Sequence, residues 1–366
     1  MKRANAGFSL IELMVAVVLA LLLSAALISV FVGSRSAYQE TSGVAALADE
    51  GRFALDSISG LAREAGFIGC TYASTGTTGN TMLNWSGTPL AFDFRYGVGG
   101  YEAAATSPGD TVTLPAIPTD GAGVANWTPT LDAAFTAATG KQIQGSDILV
   151  LRSSLPQSTP VYTTADATAG AGSLTVSSAG SLQQTQLAVV SDCTKAVPFQ
   201  IGAVTGSSPA TVSFAGVGGS PGDTTTSLPV GFSTGALVYP LTTTIFYIGM
   251  GDDGDSALRE LTLQNGMVGT NVFTDSEVVE DVENMQILYG ISSGGGIAYV
   301  TADQVPDFSS VESLEIAVLV ASPPGSVAAP ATAQTFDLLG TEVTAPQDTR
   351  LRRVFEKTIG LRDALH

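Results

Sequence analysis

Residues of types that carry chemistry are few in this chain. After Lys2 and Arg3, Glu12 is the only charge before Arg35, and it stands at the head of an apolar run. Cys70 and Cys193 are the only cysteines, and the sole histidine is the terminal His366. A catalytic thiol needs a partner base, so a single disulfide between Cys70 and Cys193, formed in an oxidising compartment, is the simpler use of the pair. Asp252, Asp253, Gly254 and Asp255, with Glu260 beyond, gather carboxylates of the kind calcium prefers. Their spacing fails the full calcium-loop pattern, and a solvated hairpin turn is the simpler reading. No glycine loop of the nucleotide-binding kind follows a strand, and no His/Cys cluster is present. No catalytic residue, metal ligand or cofactor is therefore expected, and an enzyme is not.

Glu12 is informative because of its surroundings. The order is a basic leader, a small Gly7, an aromatic Phe8, Glu12, and then Leu13 to Val32, 20 residues without charge, proline or glycine. At about 1.5 Å per residue, a helix of that length spans a bilayer core. An ordinary secretory signal is cut after its apolar region, whereas here the plausible junction lies before it, between Gly7 and Phe8. The apolar segment is then retained. Glu12 near lipid costs about 2.5 to 3.5 kcal/mol at a helix centre and less toward an end. A cut would create an amine on Phe8, one turn from Glu12. Three readings stand: a pair within the chain, an acid protonated or reaching the interface, and a pair in which Glu12 neutralises the Phe8 amine of the next subunit.

GFSLIEL followed by an apolar helix resembles the class III signal shared by type IV prepilins and type II secretion pseudopilins. The resemblance implies that Gly7 precedes the cut made by a prepilin peptidase, that Phe8 becomes the N-methylated first residue, and that Glu12 is the assembly glutamate. The peptidase works on the cytoplasmic side, in agreement with Lys2 and Arg3 lying inside. The remainder is then expected in the periplasm, on a single-pass inner-membrane anchor.

The elements that must position these residues follow. Polar residues 33–41 lead into a second helical pattern in which Leu47, Ala54, Ile58, Leu61 and Ala65 form an amphipathic stripe. Gly43, Gly51 and Gly60 weaken it in isolation, so it should depend on packing against a sheet. No proline precedes Pro89 to force a kink. With 41 glycines and only 13% charged residues, the rest predicts a loop-rich β body. Strands are expected at GSDILVLR, SLTV, QLAVV, VENMQILYGI and LRRVFEKTIGLRD, and a hairpin at TTTIFYIG and ALRELTL. In SLEIAVLVAS, Leu314, Ile316, Val318 and Val320 share one face. Stretches 73–90, 102–140 and 203–235 read as loops or insertions. The acidic run Asp275, Glu277, Glu280, Asp281 and Glu283 can oppose the basic tail Arg350, Arg352, Arg353, Lys357 and Arg362, in the head or across subunits; a solvated strand face is the simpler reading. The formal charge is −18, and losing the +2 of Lys2 and Arg3 takes it to −20. Attraction to nucleic acid is not expected.

Within the prepilin class the chain is similar to the PilW-like minor pilin family, through DEGRFALDSISGLAREAGFIGC, SDCTKAVPFQI, VEDVENMQILYG, YVTADQVPDFSSVESLEIAVLVAS and RRVFEKTIGLRD. That resemblance implies an α+β pilin-like fold: leader 1–7, membrane or filament-core helix 8–32, amphipathic continuation 33–66, and a large antiparallel β-rich head 67–366. It implies a minor subunit that primes type IV pilus assembly at or near the tip, with other minor pilins, the major pilin and a tip adhesin as partners. Cys70 and Cys193 match the family's expected disulfide. Two alternatives remain open at this point, a J-like type II secretion pseudopilin and an adhesive pilin using loops 73–140 and 203–235.

Overall fold

The apolar run and the amphipathic segment after it form one unbroken helix, α1 (Leu10–Ala62), 53 residues long. At about 1.5 Å per residue it extends about 80 Å. The computed structural model describes residues 10–69, 81–84, 90–119, 123–132, 135–136, 140–155, 160–215, 222–263, 273–293, 295–327 and 332–362. Beyond α1 the described elements are strands, apart from short single-turn helices. In chain order they are β1 (Val98–Ala103), β2 (Thr111–Thr113), β3 (Trp127–Thr128), β4 (Ile148–Ser154), β5 (Val161–Tyr162), β6 (Ser173–Val176), β7 (Leu187–Ser191), β8 (Ala196–Gly206) and β9 (Ala210–Phe214). There follow β10 (Leu237–Met250), β11 (Ser256–Leu263), β12 (Phe273–Glu280), β13 (Val282–Ser293), β14 (Gly296–Val300), β15 (Val311–Ala321), β16 (Thr335–Leu338), β17 (Thr341–Thr344) and β18 (Arg352–Gly360).

The large sheet runs β3-β1-β4-β10-β7-β8-β9-β6, with β11 joining β10 to β12 and β5 also paired to β10. A second sheet runs β14-β13-β15-β18, and a small third one β16-β17-β2. All pairs are antiparallel except β17 with β2. Leu314, Ile316, Val318 and Val320 of β15 do share one face, and they meet Leu149 and Leu151 of β4, Phe246 of β10 and Leu47, Ala54 and Ile58 of α1 in the main core. The chain is thus an α+β protein, a long N-terminal helix seated on an antiparallel β head.

Ser154 of β4 lies opposite Leu241 of β10, so these two strands form a hairpin whose tip holds β5 to β9. That tip is a lobe with its own core, including Leu174, Val176, Val197, Phe199, Val212 and Phe232. Strand β7 serves two interiors by its period of two. Leu187 and Val189 join Phe92, Trp127 and Tyr247 in the body, whereas Ala188 and Val190 join the lobe.

Two expectations need correction. Parts of 102–140 and 203–235 are not loops, because β2, β3, the end of β8 and β9 lie within them. These pieces are short and rich in Thr, Ser and Ala, too weak in alternation to be read as strands. Their register comes from neighbours, as in β9, held between β6 and β8.

Candidate functional site

The site is α1 itself: a bare apolar half, and a second half that grips the head. Residues 10–42 are exposed, including Leu27 and Val30 at 70%. The two polar interruptions are satisfied inside the helix, since Ser24 Oγ donates to Ala20 O and Ser29 Oγ to Ala26 O, both at 2.8 Å. Hydroxyls bonded in this way tolerate lipid. This part of the helix is long and apolar enough to cross a membrane, and none of it is buried in the structure. Glu12 lies in the first turn and is exposed. Lys2, Arg3, Gly7 and Phe8 lie outside the described residues, as does any geometry between Phe8 and Glu12.

The gripping half buries Gly43, Leu47, Gly51, Ala54, Leu55, Ile58, Ser59 and Ala62. Each large apolar side chain there contributes about 1.5 to 3 kcal/mol by leaving water. Leu61, expected on this stripe, is 37% exposed. Its neighbour Ala62 occupies the buried position instead, because the stripe centres on residues 47, 51, 54 and 58 and rotates position 61 outward.

Two of the three glycines expected only to weaken the helix, Gly43 and Gly51, are contact points. A Cβ on Gly51 would lie 2.3 Å from Cδ2 of Phe355 on β18, and one on Gly43 would lie 2.6 Å from Ser326 Oγ. Gly60 faces open space. Small residues eight apart on the same face as Leu47 were the available signal for this close approach. Lys357 of β18 completes the seat, donating to Asp56 Oδ1 at 2.6 Å and Ser59 Oγ at 2.9 Å. The Lys357 hydrogen bond holds the Asp56 carboxyl below its usual range.

Past α1 the chain docks on β4. Gly66 N donates to Arg152 O at 2.8 Å, and Ser154 N donates to Phe67 O at 2.7 Å. Arg152 is buried and caged by carbonyls, its guanidinium donating to Leu90 O at 2.5 and 2.9 Å and to Tyr96 O at 3.0 Å. Burial pushes its pKa down. Gly69 adjoins β7, since a Cβ there would lie 3.3 Å from Ser191 Cβ. Cys193 follows in a turn with φ of 67°, where Asp192 Oδ1 accepts from Thr194 N and Lys195 N at 3.1 Å. Cys70 lies outside the described residues.

The charged groups are more engaged than expected. Arg350 binds Asp281 and Asp255, and Arg352 binds Glu283 at 2.7 Å and Asp348 at 2.5 Å, with the Arg352 side chain only 2% exposed. Basic tail and acidic run therefore do meet, inside the head, and this part is not a solvated strand face. The cause is register: β15 lies between β13 and β18 and brings their ends to one place. Asp275 and Glu277 turn instead to the buried Arg259, at 2.9 and 3.3 Å.

The Asp252–Asp255 turn is an ion-pair hub and not an open one. Asp252 faces Lys141 at 3.4 Å and Arg259 at 3.3 Å, while Asp255 faces Arg350. The carboxylates of Asp252 and Asp255 are thus engaged by cations and that of Asp253 by the Asp255 N–H at 3.0 Å, and no metal-holding group of His, Cys, Asp and Glu occurs among the described residues. Elsewhere, burial followed by the charge of Asp147 lifts Glu102 to about 9. Asp147 accepts from Ala103 N and Ile287 N, both at 2.9 Å, and so ties β1 to β13; burial raises it to about 7.

Comparison with known proteins supplies what geometry alone does not. Residues 2–28 match the prokaryotic N-terminal methylation motif, and residues 245–363 match the family described as Type IV Pilus-assembly protein W. The second match begins within β10 and runs through β18. A solved type IV-like pilin from Thermus thermophilus is similar at 16% identity over 50% of this chain and 84% of its own, but its TM-score of 0.21 carries no argument. No curated protein gives a significant match. The chain thus carries a prepilin-type methylation motif on the bare end of α1 and is similar to the type IV pilus-assembly W family over residues 245–363, the part that holds the sheet seating its other end.

Proposed function

We propose that this chain is a minor pilin that primes type IV pilus assembly at the inner membrane and stays at or near the tip. The observation that carries the reading is the division of α1, whose first part exposes a membrane-length apolar surface while its last part is seated on a folded head. In this reading a prepilin peptidase cuts between Gly7 and Phe8 on the cytoplasmic side, Phe8 is N-methylated, and the head lies in the periplasm. Exposed helices then associate laterally, each Glu12 pairing with the Phe8 amine of a neighbour. Such a pair offsets the cost of an acid in an apolar filament core and sets axial register. The head, enlarged by the β5 to β9 lobe, blocks further addition above it. Other minor pilins, the major pilin and a tip adhesin are the partners. The Cys70–Cys193 bridge is supported by the disulfide-bonded state of Cys193 and by the approach of Gly69 to Ser191.

The N-terminal mass of the chain from its native membrane tests processing. A start at methylated Phe8 is expected, and Gly7→Leu should leave an uncut precursor. Glu12→Val should be cut normally yet fail to restore pili to a deletion strain; normal piliation by that variant would overturn the Glu12 role. A deletion that abolishes type II secretion but spares pili would place the chain in the secretion machine instead.

A further inference from the structure

We propose that the groove between α1 and β12 seats a lysine or arginine side chain supplied by a different prepilin-type subunit. The inference rests on the minor-pilin reading and adds the surface and the chemistry of its partner. Asp49, Glu50 and Phe53 form one wall, and Glu277, Val278 and Glu280 the other. Val279 is buried at the floor. Phe53 is 57% exposed, although it stands where α1 is already part of the folded head. Strand β12 pairs with β11 alone among the described strands and so presents an edge here. The groove is therefore apolar at its centre and acidic at its rim, a shape that accepts the aliphatic stem of a cationic side chain beside an aromatic ring.

The rim lacks a cation of its own. Asp49, Glu50 and Glu280 have no ion pair among the described residues, whereas Asp281 nearby is matched by Arg350 and Glu277 by Arg259. One carboxylate oxygen of Glu50, Oε2, is buried without a hydrogen-bond partner. Burial, then Asp281, Glu280 and Asp49, lift Glu50 to about 7. An incoming cation reverses that balance: the protonated Glu50 releases its proton to solvent and its carboxylate pairs with the ammonium or guanidinium.

A second copy of this chain is a poor source of that cation. The chain carries 33 acidic against 15 basic residues, and in the head Lys141, Arg259, Arg350, Arg352 and Lys357 are already in ion pairs, whereas Arg353 and Arg362 there and Arg35, Arg52 and Arg63 on α1 are in none among the described residues. Two such surfaces repel. The partner is a less acidic subunit, and this contact favours one copy beside unlike neighbours.

The test uses the full chain in its native membrane, with the photo-crosslinker p-benzoylphenylalanine at Phe53 and, as control, at Tyr162 on the lobe. The expected adduct from position 53 is a peptide of another prepilin-type subunit containing lysine or arginine. Its yield should be greater at pH 8 than at pH 6, with Glu50→Gln abolishing that difference. Glu50→Gln with Glu280→Gln should cut the yield about tenfold, as should reversal of the partner's cation. Pairing that reversal with Glu50→Lys should restore it. An adduct only to a second copy or to lipid, a partner peptide without a cation, or indifference to both Glu→Gln changes would overturn the proposal. So would suppression by millimolar calcium that persists in the double Gln variant. A missing adduct in cells whose chain starts at Phe8 and whose pili are normal overturns the groove alone. An uncut chain or normal pili in the deletion strain overturns the minor-pilin reading instead. Unchanged melting of each variant shows that the fold is kept.

Discussion

Gly51→Ala should destabilise the protein although it removes a glycine from a helix interior. Replacing an interior helical glycine by alanine ordinarily gains about 1 kcal/mol. Gly60→Ala measures that gain, because its Cβ would meet nothing within 4 Å. At Gly51 the new Cβ would stand 2.3, 2.4 and 2.6 Å from three carbons of the Phe355 ring. The ring lies against the main core, and the Arg353 guanidinium stacks over it at 5.3 Å, so it must shift by about 1 Å within occupied space, an overpacking cost of about 1 to 3 kcal/mol. The cost meets or exceeds the gain, leaving Gly51→Ala about 0 to 2 kcal/mol less stable than the parent and Gly60→Ala about 1 kcal/mol more stable. Thermal unfolding of the full chain in detergent, followed by circular dichroism, reads the difference as about 1 to 2 °C per kcal/mol for a chain of this size. Adding Phe355→Ala to Gly51→Ala should recover part of the loss by emptying the contested space. Equal stabilisation by the two alanines would refute the close approach of α1 to β18.

Other perturbations probe the head. Arg152→Met should cost several kcal/mol in melting, since it strands the buried Leu90 and Tyr96 carbonyls at about 1 to 3 kcal/mol each. Glu102 and Glu50 have folded pKa values above their unfolded ones, so the folded state holds more protons. Their contribution is full below about pH 4.5 and is lost as pH rises, through about 7 for Glu50 and about 9 for Glu102. Glu102→Gln should flatten the decline of stability between pH 5 and 9. Cys193→Ser should lower the melting temperature, the proposed bridge to Cys70 contributing about 4 to 5 kcal/mol in the chain-entropy account for a loop of this length. Calcium or a chelator should leave melting unchanged, because Lys141, Arg259 and Arg350 engage Asp252 and Asp255 of the turn.

The long apolar helix was legible because a charge-free run is a local property. So were strands such as β4, β11 and β15, whose alternation or apolar density needs no partner to be seen. What escaped depends on contacts between distant positions. Gly51 is a packing residue only because Phe355 lies against it, and Arg352 becomes buried only when β13 and β18 flank β15. Leu61 shows the limit of a periodic reading, since a stripe allows several rotations and the sheet chooses one. Charge composition showed an acidic protein but not how its cations are distributed. Nearly all those of the head are spent internally, and the acidic groove beside Phe53 follows from that distribution rather than from the net charge.

The hairpin of β4 and β10 also bears on how such a head evolves. Because Ser154 and Leu241 face each other, the chain leaves and re-enters the body at adjacent points, and everything between them is carried as cargo on one turn. Loop-closure entropy grows only logarithmically with length, so enlarging that cargo costs little once it has a core of its own. The family match begins at Ile245, just beyond the junction. Natural selection can thus exchange what the hairpin carries while leaving the helix seat and the second sheet untouched, limited by β7, whose Leu187 and Val189 remain rooted in the body. A lineage could diversify the lobe at this one position without renegotiating how the helix is seated on the head.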